Sequence, residues 1–223
     1  MQTIRGALDW AGSRLRPHVA SPAVDAELLL RHALDCPRAM LFSDPLAPVP
    51  APAAALFAEL VERRAAGEPL QYLTAVQSFR HLELAVGPGV LVPRPETEVV
   101  VERGLGHLAG TGSPVVVDLC TGSGAIALAV ATERPDAAVW ATELSADAAA
   151  WARRNAERTG APNLTILEGD LFAPLPPALR GSVDLVVANP PYLSEAELAT
   201  TDPDVREHEP VLATVAGPSG LEV

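Results

Sequence analysis

Residues 189–192 of the chain read Asn-Pro-Pro-Tyr and directly follow the apolar run VDLVVA at 183–188. The run is typical of a buried strand, and the two prolines end it because proline cannot donate ladder hydrogen bonds. A stiff turn of this kind offers two acceptors, the Asn189 side-chain oxygen and a proline carbonyl, beside the aromatic face of Tyr192. Such a set can hold a planar NH2 group still. The alternative is a Pro-rich turn whose asparagine bonds its own backbone.

A second chemically suggestive segment is the glycine turn that follows a predicted strand at 115–119. Gly122 and Gly124 let the backbone approach a ligand, and the helix behind them presents free N–H groups at its N-terminus. The Lys-Ser/Thr ending of a phosphate-binding loop is missing, which disfavours nucleoside triphosphates. The run 122–127 fits the G-x-G-x-x-A dinucleotide fingerprint, and Glu143 stands where a ribose-binding acid is expected.

The same glycine turn also suits S-adenosylmethionine. This cofactor needs the strand, the turn and the ribose carboxylate, and in addition an acid near its ammonium group. Asp118, at the end of the first strand, supplies that acid. Taken alone, the segment therefore leaves three interpretations open: a dinucleotide, S-adenosylmethionine, or a tight turn with no ligand.

The order of the motifs narrows these interpretations. DLCTGSG (118–124), Glu143, Gly169-Asp170 and the 189–192 turn follow one another along alternating predicted strands and helices. This order resembles class I S-adenosylmethionine-dependent methyltransferases that methylate a planar amino or amide nitrogen. The stretch at 67–98, which ends in VPRPETE, resembles the protein-(glutamine-N5) methyltransferases of peptide chain release factors, the HemK or PrmC family. The resemblance covers essentially all 223 residues.

The resemblance implies that the turn Asn189-Pro190-Pro191-Tyr192 binds the substrate and that Asn189, Pro190 and Tyr192 are catalytic. The Asn189 oxygen and the Pro190 carbonyl are expected to accept the two N–H hydrogens of a glutamine side-chain amide. Tyr192 is expected to pack over the amide plane and help exclude water. The protein substrate would be a release factor, and the helical N-terminal part would be its docking surface.

The resemblance also assigns the cofactor contacts. The glycine turn and Asp118 would face the methionine part of S-adenosylmethionine, and Glu143 would accept hydrogen bonds from the ribose. Asp170 would meet the adenine amino group, with Leu171 packed on the ring. The expected cofactor-binding residues are Asp118, Cys120, Thr121, Gly122, Ser123, Gly124, Glu143, Asp170, Leu171 and Asn189.

Three residues depart from the family pattern. Cys120 stands where glycine is common, Glu143 replaces the more usual Asp, and Leu171 occupies a position that is often aromatic. None of the three removes a group that the chemistry needs, although Leu171 is expected to weaken stacking on the adenine.

Other charged residues are open to simpler interpretations. Arg94, Glu96 and Glu98 suit either a salt network at the start of a helix or the lip of a substrate pocket. The Glu-His-Glu run at 207–209 places two carboxylates around one histidine, an arrangement that is more often solvated, so no metal is expected.

Composition limits the classes of partner. Sixteen basic and 28 acidic residues give a net charge of −12, which argues against tight binding of a nucleic-acid backbone. Two cysteines, Cys36 and Cys120, make no disulfide framework. The N-terminus lacks the apolar core of a signal peptide, and no run of 18 apolar residues predicts a membrane span. A cytoplasmic protein that binds neither membrane nor nucleic acid is expected.

The predicted fold class is α/β, with a doubly wound, mostly parallel, Rossmann-like methyltransferase sheet. A helical substrate-docking domain is expected at 1–72, a linking β-hairpin at 73–93 with its turn at Gly87-Pro88-Gly89, and an S-adenosylmethionine-binding domain at 94–223. By resemblance a further helix and an antiparallel strand pair should follow, so the chain is expected to be truncated at its C-terminus. Strands are predicted near 115–119, 138–142, 164–168 and 183–188, and helices near 22–34, 53–66, 96–109, 123–133 and 145–158.

Two rival functions remain. An N6-adenine nucleic-acid methyltransferase would present the same kind of planar amino group to the 189–192 turn. A non-catalytic module that binds S-adenosylmethionine or a dinucleotide would need only the glycine turn.

Overall fold

The computed structural model describes residues 3–223. These residues divide into two compact units, Met1–Ala75 and Val76–Val223. Each unit has its own apolar core. Within residues 3–223, every helix is too short or too polar to span a bilayer.

The first unit is entirely helical. Its core is formed by large apolar side chains on the inner faces of three helices, among them Leu15, Leu29 and Phe57. An ion pair between Asp25 and Arg64, 2.8 Å long, joins two of these helices. The five helices are α1 (Ile4–Leu15), α2 (Pro22–Leu34), α3 (Arg38–Ser43), α4 (Ala51–Ala65) and α5 (Leu70–Thr74).

The second unit begins with the antiparallel hairpin of β1 (Val76–Phe79) and β2 (Leu82–Ala85). Phe79 pairs with Leu82, so Arg80 and His81 form the turn. The backbone N–H of Arg80 donates a 2.9 Å hydrogen bond to Glu98.

The prediction that Gly87-Pro88-Gly89 forms the hairpin turn is wrong. This tripeptide follows β2 and lies against a helix, where the Trp151 indole N–H donates to the Pro88 carbonyl at 3.2 Å. A Cβ at Gly87 would lie 2.8 Å from the Trp151 ring. The glycine is therefore explained by a close approach to this tryptophan and not by a chain reversal.

The centre of the second unit is a parallel sheet. Its strands are β3 (Val115–Leu119), β4 (Ala138–Glu143), β5 (Leu164–Glu168) and β6 (Leu185–Ala188), in the order β5-β4-β3-β6. All pairings are parallel. The predicted α/β class with a mostly parallel, Rossmann-like sheet is confirmed. Because the strand order reverses between β3 and β6, a crevice is expected at their carboxyl ends.

Three helices pack on one face of the sheet: α6 (Glu98–His107), α7 (Ala125–Glu133) and α8 (Ala146–Thr159). A short 3-10 turn at Pro95–Thr97 precedes α6. The opposite face carries the side chains of Val117, Trp140 and Val186, which are neighbours by register. Val186 is 45% exposed there.

One buried amide joins three parts of this unit. The Asn155 side chain accepts from the Ala85 N–H at 2.7 Å and donates to the Ala85 carbonyl at 3.0 Å. It also donates to the Ser123 carbonyl at 2.9 Å. Asn155 thus fixes the end of β2 and the glycine turn against α8, and it places both beside the carboxyl end of the sheet.

The last part of the chain forms short elements beside the sheet. A two-stranded parallel pair joins β7 (Leu193–Ser194) to β8 (Val215–Gly217). A backbone carbonyl leaves no room for a side chain at Gly220, where a Cβ would stand 2.6 Å from the Tyr192 oxygen. Between the two strands lie α9 (Glu195–Leu198), α10 (Pro203–His208) and α11 (Val211–Thr214).

Candidate active site

The sheet brings the two predicted motifs together. β3 and β6 are adjacent, and Leu119 is the register partner of Ala188. Cys120 and Asn189 are the next residues, so the glycine turn and the Asn-Pro-Pro-Tyr turn leave the sheet side by side. Both reach the crevice that the strand order predicts.

The first of two cavities at this edge has a volume of about 230 Å³. Its wall contains residues of both motifs, among them Pro191, and two of the three predicted carboxylates, Glu143 and Asp170. The predicted cofactor-binding residues on the wall are Cys120, Gly122, Glu143, Asp170, Leu171 and Asn189.

Glu143 is held at the wall of this cavity by two backbone groups. One carboxylate oxygen accepts from the Gly122 N–H at 2.8 Å, and the other accepts from the Ser145 N–H at 2.9 Å. Gly122 has φ +58°, and a Cβ there would meet no atom within 4 Å. A carboxylate has about four acceptor positions, so Glu143 keeps capacity for hydroxyl groups of a ligand.

Asp118 lies behind the glycine turn and is not part of the cavity wall. One of its oxygens accepts from the Thr121 hydroxyl at 2.6 Å and from the Ala127 N–H at 3.1 Å. Burial raises the pKa of Asp118 to about 7, and the nearby charge of Glu143 adds to this, while the two hydrogen bonds oppose it. Its other oxygen, Oδ1, has no hydrogen-bond partner within residues 3–223. Asp118 therefore holds the glycine turn in place through these two hydrogen bonds, on the side away from the cavity.

Thr121, Ser123 and Gly124 are also absent from the cavity wall. The side chains of Thr121 and Ser123 are buried. Gly124 has φ +85°, and a Cβ there would lie 3.1 Å from Leu128. These residues shape the turn and pack it on α7 and α8, and the wall itself is formed by Cys120 and Gly122.

Cys120 occupies a backbone conformation that favours glycine, with φ +56°. This explains why glycine is common at the position in the family that the sequence resembles. Burial raises the pKa of the Cys120 thiol to about 11, and the charges of Glu143, Asp118 and Asp170 add to the effect. The thiol is therefore protonated at neutral pH, which makes it a poor nucleophile.

The second cavity has a volume of about 450 Å³ and lies on the other side of Asn189. Asn189, Pro190 and Tyr192 line it. Asn189, Leu91 and Ala213 lie on the walls of both cavities, so the two spaces meet at these three residues.

The two acceptors of the turn belong to residues of the second cavity wall, Asn189 and Pro190, and their hydrogen-bonding capacity is unused. Among the described residues, none donates a hydrogen bond to the Asn189 side chain or to the Pro190 carbonyl. Tyr192 is 66% exposed at the edge of the second cavity. A planar NH2 group that enters from this side would meet two free acceptors.

The three charged residues at the start of α6 divide into two roles. Arg94 and Glu96 line the second cavity, as the pocket-lip interpretation expected. Glu98 instead accepts from the Arg80 N–H in the hairpin turn. Arg94 forms an ion pair with Glu209, a residue of the 207–209 run that was expected to be solvated and is in fact buried.

Within residues 3–223, no group of three or more His, Cys, Asp or Glu side chains is arranged to hold a metal ion.

Two protein-family models match the chain. The model described as PrmC N-terminal domain matches residues 6–74, and the model described as Methyltransferase small domain matches residues 104–205. The matches correspond to the helical first unit and to the greater part of the second.

Relatives with a known name are similar over almost the whole chain. The release factor glutamine methyltransferase of Bifidobacterium longum (strain NCC 2705) is 42% identical, over 96% of this chain and 77% of that protein. The proteins of the same name from Streptomyces coelicolor and Mycolicibacterium smegmatis are 45% and 44% identical. Their matches cover 92% and 100% of this chain, and 71% and 77% of their own lengths. The chain belongs to the release factor glutamine methyltransferase family.

Membership of this family confirms the resemblance that the motifs predicted. The structure adds site residues that the motifs did not reveal. Leu91 and Ala213 complete the junction of the cavities, and Thr142 lines the first cavity with a buried hydroxyl that has no partner among the described residues. Leu91 directly precedes the VPRPETE run, and this position was the one sequence signal that could have indicated it as a site residue. Ala213 and Thr142 carry no such signal, because an alanine in a short helix and a threonine in a strand are ordinary residues.

Proposed function

We propose that this chain transfers a methyl group from S-adenosylmethionine to the side-chain amide nitrogen of a glutamine in a peptide chain release factor. The observation that carries the proposal is the position of Asn189 on the walls of both cavities. One cavity has the carboxylates that suit the cofactor, and the other has room for a side chain of a protein substrate. Methyl transfer requires that the donor and the acceptor meet, and a residue shared by the walls of both cavities supports such a meeting at Asn189.

The residues of the first cavity fit S-adenosylmethionine. Glu143 is fixed by Gly122 and Ser145 and keeps acceptor capacity for the ribose hydroxyls. Asp170 and Leu171 lie on the same wall and are suited to the adenine amino group and ring. Asp118 acts on the methionine end indirectly, because it holds the turn that forms this part of the wall. When bound, the cofactor supplies an electrophilic methyl group on a positively charged sulfur.

The residues of the Asn-Pro-Pro-Tyr turn assist the attack of an amide nitrogen, which is a weak nucleophile. An amide nitrogen attacks poorly because its lone pair is delocalised into the carbonyl group. The Asn189 oxygen and the Pro190 carbonyl accept the two N–H hydrogens, which orients the lone pair and favours positive charge on nitrogen. Alignment of this kind contributes several kcal/mol, and the two acceptors add about 2–4 kcal/mol in the transition state.

The turn needs no strong base. The proton on nitrogen becomes acidic once the new carbon–nitrogen bond has formed, and it can leave to water after the transfer. Tyr192 packs over the amide plane at the mouth of the second cavity and limits access of water during the reaction. Catalysis in this site is therefore positioning plus hydrogen bonding.

The release factor is the proposed protein partner, and the helical first unit is its proposed docking surface. The formal net charge of −12 supports a protein substrate over a nucleic acid. A cytoplasmic location, where translation factors act, is part of the same proposal.

The experiment is a transfer assay with S-adenosylmethionine labelled in its methyl group. Release factor, DNA and RNA are incubated separately with the chain, and the modified release factor is mapped by mass spectrometry. Label on one glutamine of the release factor, with none on nucleic acid, is the expected result. Label on adenine would favour the rival methyltransferase. Cofactor binding by calorimetry without any transfer would favour a binding module.

A further inference from the structure

Glu209 is a buried carboxylate that reaches across to a distant part of the second unit. Its side chain is 2% exposed. Glu209 is also the C-cap residue of α10, and its backbone N–H donates to the Val205 carbonyl at 3.1 Å. One carboxylate oxygen accepts from the Val92 N–H at 3.3 Å, and the other accepts from the Arg94 guanidinium. Glu209 therefore makes three connections, two of them to the segment that leads into α6.

Stability alone does not account for a carboxylate in this place. Burial raises the pKa of Glu209, while the charge of Arg94 and the hydrogen bonds from Val92 and Arg94 oppose that rise, and the charge of Asp204 adds to it. Desolvating a carboxylate is costly, and apolar residues that replace a buried ion pair are often as stable or more so. Arg94 keeps 37% of its side chain exposed, so the pair is buried on the glutamate side only.

The groups that Glu209 connects lie directly beside the junction of the two cavities. Val92 follows Leu91 in the chain, and Glu209 precedes Pro210 and α11, which carries Ala213. Leu91 and Ala213 are the two residues that, with Asn189, line both cavities. The carboxylate thus holds two of the three walls of the junction at a fixed separation.

We infer that Glu209 is a positioning residue for methyl transfer. It ties the segment that contains Leu91 to the segment that contains Ala213, and this keeps the two cavities aligned with each other at Asn189. The inference rests on the proposed function, because it concerns the geometry in which the cofactor and the amide approach each other. Glu209 lines neither cavity. Its effect passes through Val92 and Arg94.

The test uses Glu209→Gln and Arg94→Gln in the full chain, assayed with release factor and labelled S-adenosylmethionine. Glutamine keeps an acceptor for the Val92 N–H and removes the charge that Arg94 needs. We expect kcat to fall about 10- to 30-fold, because a misplacement of about 1 Å costs up to about 100-fold. In Glu209→Gln, which changes no residue of either cavity wall, KM for release factor and Kd for the cofactor should change less than about threefold. The double variant should lose no more than the worse single variant, because both changes break one unit.

The matched control is Glu133→Gln. Glu133, like Glu209, pairs with one arginine: Arg80 donates two hydrogen bonds to its carboxylate, at 2.5 Å and 2.7 Å. This pair lies in the same unit, and neither residue lines either cavity. Glu133→Gln should lower Tm to a similar extent and leave kcat within about twofold of the unsubstituted chain. All assays are run well below the Tm of the least stable variant.

The outcomes separate the inference from the proposed function. Wild-type kcat in Glu209→Gln and Arg94→Gln would overturn the inference alone, and so would an equal loss in Glu133→Gln. If Glu209→Gln does not fold, Glu209→Asp decides the matter, because it keeps the charge and shortens the reach to Val92 and Arg94. Unchanged kcat in that variant would overturn the inference. Absence of transfer by the unsubstituted chain would overturn the proposed function, and the inference with it.

Discussion

The carboxylate of Glu143 accepts a hydrogen bond from the backbone N–H of Gly122 at 2.8 Å. Glu143, the last residue of β4, thus fixes the glycine turn that follows the neighbouring strand β3. A residue that the motif assigns to ligand binding also shapes the protein before any ligand arrives.

Glu143→Gln should weaken S-adenosylmethionine binding about 10- to 100-fold. Hydrogen bonds to a charged acceptor contribute roughly 1.5–3 kcal/mol, and the amide replaces a charged acceptor by a neutral one. Calorimetric titration with the cofactor measures the effect. Glu168→Gln is the matched control, because Glu168 is the register partner of Glu143 on β5 and does not line the cavity. Equal affinity in both variants would argue against the ribose contact.

Asn189→Ala should reduce kcat about 100-fold or more and leave the Kd of the cofactor nearly unchanged. The alanine removes one of the two acceptors that orient the amide, and that interaction matters most in the transition state. Steady-state kinetics with release factor, together with cofactor titration, check the split. A variant with normal turnover would remove Asn189 from the mechanism.

Asp118→Asn should make stability less dependent on pH. The folded pKa of Asp118 is about 7, above its ordinary value of 3.8, so the folded protein keeps the proton longer than the unfolded chain. The contribution of this group is complete below about pH 4 and is lost as the pH rises through about 7. From pH 5.5 to 8 the wild-type chain should therefore lose about 2 kcal/mol more than the variant.

Denaturant unfolding of the two proteins at pH 5.5 and pH 8 measures this difference. Other titrating groups are common to both proteins and cancel in the comparison. The variant should be less stable than wild type at low pH, because the new NH2 group is buried at a position without a partner. Parallel pH profiles would show that Asp118 does not keep its proton as its burial implies.

Gly87→Ala should destabilise the second unit by about 1–3 kcal/mol, the usual range for overpacking. The new Cβ would lie 2.8 Å from the Trp151 ring, which is itself held by Pro88. Gly106→Ala in α6 is the control, because a Cβ there meets no atom within 4 Å. In that helix alanine should be neutral or stabilise by about 0.5–1 kcal/mol. Similar Tm values for both variants would contradict the close approach.

The sequence was sufficient to predict the sheet and the meeting of the two motifs. Alternating strands and helices define a parallel sheet, and in such sheets ligands bind at the carboxyl ends of the strands. The predicted strand at 115–119 agrees with β3, and the strand predicted at 183–188 contains β6. Cys120 and Asn189 therefore had to lie near one another once both strands were identified.

The position of Asp118 could not be predicted. β3 is buried on both faces, so it reads as an apolar run without the alternation that would show which face a side chain occupies. The motif predicts that Asp118 lies near the cofactor, and the fold places it behind the glycine turn, outside the wall of the first cavity.

Contacts between residues that are far apart in the chain could not be predicted either. Val92 and Glu209 are 117 positions apart, and nothing local to the Glu-His-Glu run distinguishes a buried glutamate from a solvated one. Gly87-Pro88-Gly89 misled for the same reason, since its composition suits a turn. Only the packing on Trp151 shows what Gly87 is for.

The packing of Trp151 also provides a label-free optical signal. The chain has three tryptophans, and this one is hydrogen-bonded to Pro88, next to Gly89 and Val90 on the wall of the first cavity. Indole emission responds to changes in hydrogen bonding and solvent access. A molecule that enters the cavity and presses on this wall should therefore shift the emission spectrum, so that occupancy can be followed by fluorescence without chemical modification of the protein.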